Sequence, residues 1–273
     1  MRTAEQIYQA IDEDKKNKEF MRTGFSQVDN SLDGGFLKKE IIILGSFTGI
    51  GKSILAGQMF YSIVSQGFLS AYFSLEISGE VLLSRLTGQM ANIKPSRTMH
   101  GLLTAEELDW VRMSRAEIMT NNMLMHFHDD LYLLGEIEEQ ITKNKYEFVV
   151  IDFIQNILLP NSMDEYTRLS YVAVKLQKLA KATNSCILVC SQLSNRVGSN
   201  NSGNVEYKGS GAIAQIADLG FFLTREQPNF DINGQPTGNQ AVTLALRKNR
   251  RGISGLTWNL EFVHPGGKIC EKI

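Results

Sequence analysis

The stretch Leu44–Ser53 reads LGSFTGIGKS. It follows the short apolar run Glu40–Leu44 and opens the helix-forming segment Lys52–Gln66, so a glycine-bearing turn joins a strand to a helix N-terminus. Backbone N–H groups at such a terminus lack intrahelical acceptors and carry partial positive charge, which makes the turn a cradle for phosphate oxygens. Gly49 and Gly51 let the backbone turn close to a ligand, Lys52 can reach the β- and γ-phosphates, and the Ser53 hydroxyl can ligate Mg²⁺. Ser46, Phe47, Thr48, Gly49, Ile50, Gly51, Lys52, Ser53 and Ile54 form the expected ATP-binding segment. One departure stands out. In the G-x-x-x-x-G-K-S/T pattern the first glycine falls at position 46, where this chain has Ser46 after Gly45. A chance glycine-rich turn is the bland alternative, and Gly-Lys-Ser at a helix start after an apolar strand argues against it.

The rest of the chain supplies a scaffold for such a loop. Strand-like runs at Leu69–Leu75, Met123–His128, Phe148–Asp152 and Cys186–Ser191 alternate with helical segments at Ser78–Gln89, Thr104–Asn121, Leu133–Lys143 and Thr167–Lys181. Apolar strands separated by helices predict a parallel sheet covered on both faces. Ser78 is the expected N-cap of its helix. Beyond residue 215, Leu219–Thr224, Ala241–Arg247 and Leu256–Val263 read as strands joined by turns, an antiparallel extension of the same sheet. Two long polar loops, Ser194–Tyr207 and Glu226–Gln240, interrupt this order. The length of 273 residues with 43% hydrophobic content suits one large domain, residues 22–273, preceded by an amphipathic helix at 3–19. That helix carries a small stripe, Ile7, Ala10 and Ile11, which needs something to dock on. A net charge of −1 excludes a global basic field, so any nucleic-acid contact must be local. Three cysteines do not make a disulfide framework, and Cys186 and Cys190 read as buried strand thiols. With no membrane-length apolar run and a polar, acidic start, the expected location is cytoplasmic.

Several residues at strand ends carry chemistry. Asp152 closes FVVID, where an acid beside the phosphate loop holds Mg²⁺ directly or through water. Glu76 closes AYFSLE, where a carboxylate can orient and deprotonate an attacking water. Gln192 follows ILVCS and can hydrogen-bond a γ-phosphate. Arg247, Lys248, Arg250 and Arg251 crowd one strand end, suited to phosphoryl charge in cis or across an interface, to nucleic acid, or to a solvated turn. His126 and His128 share a strand face ahead of Asp129 and Asp130; without a third ligand, a polar strand-end cluster is the better reading than a metal site.

From about Arg22 to Phe262 these segments resemble the C-terminal RecA-like ATPase domain of the DnaB-type replicative DNA helicases. TGFSQVDNSLDGGFLKKEIIIL resembles the entry to the first core strand, and SFTGIGKS the Walker A segment, where many members also lack the first glycine. YFSLEIS, FVVIDFIQNI and LVCSQLSNR resemble the segments bearing the catalytic glutamate, the Walker B acid and the sensor, which gives those roles to Glu76, Asp152 and Gln192. LRKNRRGISG resembles the arginine-finger segment, and matching its glycines makes Lys248 and Arg250 the pair that reaches a neighbour's γ-phosphate. The resemblance implies an ATP- and Mg²⁺-dependent motor, self-association into a hexameric ring, and single-stranded DNA in the channel. The channel loops would be Asn156–Thr167 and Ser194–Lys208, with Arg196 and Lys208 as DNA contacts and Arg168 just past the first loop. Primase or a helicase loader is an implied partner, in a bacterial or phage-infected cell. Residues 1–21 resemble the linker helix that packs on an adjacent subunit. The family's N-terminal helical domain has no counterpart in this sequence, which fits either an isolated ATPase domain or a naturally short member. The competing readings are a RecA- or KaiC-type DNA-stimulated ATPase that does not unwind by itself, and a DNA-binding assembly module with vestigial hydrolysis.

Overall fold

The computed structural model describes residues 3–6, 8, 19–195, 205–207, 211–230 and 236–272. Most of the expected linker helix, with its Ile7, Ala10 and Ile11 stripe, lies outside the described residues, as do Arg196 and Lys208. The predicted mixed sheet forms. Strands β1 (Ile41–Ser46), β2 (Ser70–Ser74), β3 (Met125–His128), β4 (Phe148–Asp152), β5 (Cys186–Asn195) and β7 (Leu219–Arg225) run parallel in the order β7-β1-β5-β4-β2-β3. β10 (Gln240–Asn249), β11 (Thr257–Val263) and β12 (Lys268–Glu271) add antiparallel beyond β7. β6 (Val205–Tyr207) folds back on the end of β5, and β8 (Asn229–Phe230) pairs with β9 (Pro236–Thr237) inside the second polar loop.

Side chains alternate across this sheet and feed two cores. Ile42, Leu44, Phe148, Val150 and Leu188 pack toward α2 (Lys52–Val64), α3 (Gly79–Ala91) and α5 (Ala105–Thr120). Ile41, Ile43, Val149, Ile151, Ile187 and Val189 pack toward α6 (Leu134–Asn144), α7 (Glu165–Thr183) and α8 (Gly211–Ile216). The central strands are buried throughout, as continuous apolar runs require in a doubly covered parallel sheet. Cys186 and Cys190 lie fully inside it, and burial pushes both thiols up. Among the described residues, no helix is long and apolar enough to cross a membrane.

Several local features differ from the sequence reading, which ends the fifth strand at Ser191, reads 194–207 and 226–240 as loops and has no strand at 268–271. Ser78 occupies the N-cap of α3 without a side-chain bond; Asp129 accepts the Gly79 N–H instead, at 2.7 Å. Helix α7 starts at Glu165 rather than Thr167, because the Asp164 carboxylate caps it by accepting the Thr167 N–H at 3.0 Å. The six-residue helices α1 (Ser26–Ser31), α4 (Pro95–His100) and α8 are additions, too short to show a 3.6-residue period in the sequence. The His126 and His128 rings both meet the Tyr146 hydroxyl, at 2.9 and 3.1 Å, which makes them a polar cluster on the sheet edge. Among the described residues, no three or more His, Cys, Asp or Glu side chains gather into a group that could hold a metal ion.

Candidate active site

Strand β1 ends at Ser46, level with Gln192 of β5 and Leu223 of β7, and the chain then turns through 47–51 into α2. Gly49 and Gly51 take φ of 79° and 114°, left-handed values that a side chain would strain. Gly51 is the N-cap of α2, and its carbonyl accepts the Leu55 N–H at 3.0 Å. The turn borders a cavity of about 660 Å³. Phe47, Thr48, Gly49, Gly51, Lys52, Ser53 and Ile54 line it, and so do Glu76 and Gln192. Two residues of the expected ATP-binding segment do not. Ser46 is buried as the last residue of β1 with its hydroxyl on the Phe47 carbonyl, and Ile50 packs against the core. In this fold position 46 is the strand's end, so a serine there needs no positive φ.

The strand ends beside the loop are tied to one another. Gln192 donates from Nε2 to the Thr48 hydroxyl at 2.6 Å, joining the sensor position to the phosphate loop. Gln155 donates to the Ser191 hydroxyl at 3.1 Å and accepts the Gln192 N–H at 3.3 Å. Arg168 donates to the Gln155 carbonyl at 3.0 Å and to the Ile157 carbonyl, so it braces the turn after β4. The Leu75 carbonyl accepts from Asn156 at 2.7 Å, which fixes the approach to Glu76. Glu76 itself stands exposed at the cavity wall.

Asp152 is 1% exposed. Its Oδ2 accepts the Tyr72 hydroxyl at 2.9 Å, while its Oδ1 is buried with no hydrogen-bond partner. Burial first, and the Asp152 charge second, push the Tyr72 hydroxyl well above its ordinary range, so it stays a donor. Asp152 is not itself among the residues lining the cavity; its orphaned carboxylate oxygen at the strand tip and the Ser53 hydroxyl on the cavity wall are the oxygen donors that a hydrated Mg²⁺ takes. Lys52 holds its ammonium 5.3 Å from the Phe153 ring centroid, close to the same tip.

Several residues in or beside the cavity carried no sequence signal. Arg225 donates to the Gly49 carbonyl at 2.7 Å and stacks its guanidinium 4.4 Å from the Phe262 ring. Arg85 projects from α3, and His264, Pro265 and Gly267 close the far wall from the turn between β11 and β12.

Lys248 and Arg250 do not line this cavity. Strand β10 carries a bulge between Leu246 and Lys248. Val242, Leu244 and Leu246 all point toward the α2 face, and strict alternation would send Lys248 the same way; the extra residue reverses it. The Lys248 ammonium therefore reaches α8 on the opposite face, donating to the Ala214 and Gln215 carbonyls at 2.8 and 2.7 Å. Arg250 donates to the Gln215 carbonyl at 2.7 Å and pairs with Asp218 at 3.0 Å. Burial, then Arg250, hold the Lys248 ammonium below its ordinary range, with Asp218 opposing them. The other two cations of the cluster are spoken for: Arg251 pairs with Glu40 at 2.9 Å, and Arg247 lies over Phe222.

Residues 21–268 match the family model described as the DnaB-like helicase C terminal domain. The chain belongs to that family. Curated relatives include the replicative DNA helicase DnaB of Treponema pallidum (strain Nichols), 27% identical over 88% of this chain and 53% of the relative. Another is a probable replicative DNA helicase of Trieres chinensis, 31% identical over 89% of this chain and 55% of the relative. The chain thus spans about half the length of the curated relatives it matches. Among solved structures, one described as an ATPase domain superposes with a TM-score of 0.80 at 20% identity, covering 98% of this chain and 96% of that one. A DnaB-like replicative helicase, solved with its interactions with primase, gives 0.79 at 19% identity, covering 100% of this chain and 68% of that one. The DnaB-like C-terminal domain fold is thereby matched from end to end, including the antiparallel strands beyond β7.

Proposed function

We propose that this chain is the ATP-hydrolysing motor of a DnaB-type replicative DNA helicase, acting on single-stranded DNA as part of a hexameric ring. One observation carries the reading: a DnaB-family chain gathers Lys52, Ser53, Glu76 and Gln192 around one cavity and sends Lys248 and Arg250 to the other face of the sheet. The loop N–H groups and Lys52 would hold the β- and γ-phosphates. Ser53 and Asp152 would hold Mg²⁺, which supplies charge neutralisation across the phosphates when bound. Glu76 would take the proton of the attacking water, and Gln192 would exchange its Thr48 bond for a γ-phosphate oxygen. Lys248 and Arg250 would complete a neighbour's site rather than their own. DNA would pass the loops at 156–167 and 194–208, with Arg196 and Lys208 as backbone contacts. Primase or a loader is a proposed partner; one solved relative is described with primase.

The test is subunit mixing. Lys52→Ala is expected to abolish turnover. Arg250→Ala is expected to lose turnover while binding nucleotide as before. Mixing Arg250→Ala with Glu76→Ala should restore part of the ATPase activity, since an intact cavity then meets an intact donor. Absence of rescue at every ratio sinks the shared site. ATP-driven strand displacement on forked DNA checks the motor role; DNA-stimulated hydrolysis without displacement favours a RecA- or KaiC-like ATPase that does not unwind by itself.

A further inference from the structure

We propose that Asp218 is the positioning residue of Arg250, fixing the guanidinium in the direction from which a neighbouring copy's phosphates approach. The proposal rests on the reading of Arg250 as a donor in trans.

Asp218 sits between the end of α8 and the start of β7, tied by hydrogen bonds on both its backbone and its carboxylate. Its Oδ2 accepts the Ile41 N–H at 2.9 Å, and its own N–H donates to the Ile41 carbonyl at 2.8 Å. Its carbonyl accepts the Arg250 N–H at 2.9 Å, and its Oδ1 accepts from Arg250 Nη1 at 3.0 Å. The carboxylate is therefore anchored to the first residue of the central strand β1, and it passes that anchorage to the arginine. Its side chain is 16% exposed, against 44% for Arg250. The arginine is thus held at its root and open at its tip. Beyond the bonds to Asp218 and to the Gln215 carbonyl, its guanidinium keeps uncommitted N–H donors among the described residues.

An exposed arginine has many rotamers, and freezing them when phosphate arrives opposes binding. A carboxylate partner that is itself rigid removes that cost beforehand. Neutral carbonyls alone would hold the guanidinium less firmly, since they lack the carboxylate's opposite charge. Lys248 shares the Gln215 carbonyl with Arg250, so the same anchor sets the spacing of both cations.

A purely structural ion pair would look the same in a static picture, so the test reads which side of the interface fails. In Asp218→Asn the amide oxygen can keep the Ile41 N–H bond while the negative charge and the acceptor facing Arg250 are lost. Turnover should fall about tenfold or more, the range seen when outer-sphere partners are removed. Nucleotide affinity of the variant's own cavity should not change. Mixed with Glu76→Ala, Asp218→Asn should regain activity, because intact donors then meet intact cavities. Mixed with Arg250→Ala it should show no rise above its own lowered turnover, because both variants are defective donors. Wild-type turnover in folded Asp218→Asn overturns the proposal. So does rescue by Arg250→Ala, or loss of nucleotide affinity without rescue by Glu76→Ala. If the Asn variant does not fold, Asp218→Glu, which keeps the charge and shifts it by a methylene, is judged on the same pattern. If the Arg250→Ala and Glu76→Ala mixture itself gives no rescue, the shared site fails and the proposal with it. If that mixture works and Asp218→Asn departs from the pattern, the positioning role alone fails.

Discussion

Asp152 keeps one carboxylate oxygen for the Tyr72 hydroxyl and leaves the other without a partner in the protein interior. Such a group is stable only because its environment holds it, and Tyr72 is the donor that does so. Tyr72→Phe removes the bond but not the ring. The second buried oxygen is then unsatisfied, so urea unfolding should show a loss of about 1–3 kcal/mol. The same change should raise the Mg²⁺ concentration needed for half-maximal turnover by about tenfold or more, because the carboxylate is no longer oriented. Glu76, Asp152 and Gln192 could be found in the sequence because each sits at the end of an apolar run, where parallel strands deliver side chains to a common edge, and Lys52 and Ser53 because Gly-Lys-Ser opens a helix just after such a run. Tyr72, Gln155 and Arg225 could not. Their partners lie 80, 37 and 176 residues away in the chain, and no local pattern marks them.

Among the secondary-structure elements, β12 shows how a short piece can matter. It has only four residues, too few for alternation to mark it in the sequence. Its place is set by Gln58 of α2, whose amide donates to the Ile269 carbonyl at 2.8 Å and accepts the Ile269 N–H at 2.9 Å. The side chain imitates a strand neighbour and ties the sheet edge to the phosphate-loop helix. Ile269 in turn lies within 3.8 Å of where a Gly51 side chain would begin. Gln58→Ala should therefore loosen β12, with faster amide exchange at 268–271 and nucleotide affinity several-fold weaker; unchanged exchange there would count against the clasp. The bulge in β10 makes the complementary point. A period-two reading of residues 241–247 puts Lys248 on the face of Leu246, and only the register shift turns it to α8. Bulges leave no composition signature, so the residue could be nominated from sequence but not its direction.

For the molecule as a whole, the parallel sheet, its coverage and the antiparallel extension followed from alternation of apolar runs, since long-range pairing only had to bring similar runs together. Charge behaviour did not follow, because it depends on burial. His128 is held below its ordinary range by burial and then by His126, with Asp130 and Asp129 opposing; Tyr146 and Phe73 complete its surroundings. His264 is lowered by burial, then by Arg225 and Lys94. Both imidazoles take up protons more readily in the unfolded chain. Stability is therefore full above about pH 6.5, and it declines as pH falls from there toward the depressed folded values. His128→Gln with His264→Gln should flatten the unfolding midpoint between about pH 6.5 and pH 5. A midpoint that falls as steeply in the double variant assigns the slope to other groups.

The separation of the cavity from its proposed donors also limits how copies can associate. Lys248 is level with Ile43 of β1 through Gly220, three residues short of Ser46, or roughly 10 Å along the strands. Its side chain leaves by the face opposite the phosphate-loop helix. A two-fold pair completes both sites only where cavity and donors share one self-complementary patch, and their placement on different faces of the sheet works against that. Head-to-tail addition would bring the donors of one copy to the cavity of the next without that requirement. A linear run of copies then strands one cavity at one end and one donor pair at the other, whereas a closed ring strands neither.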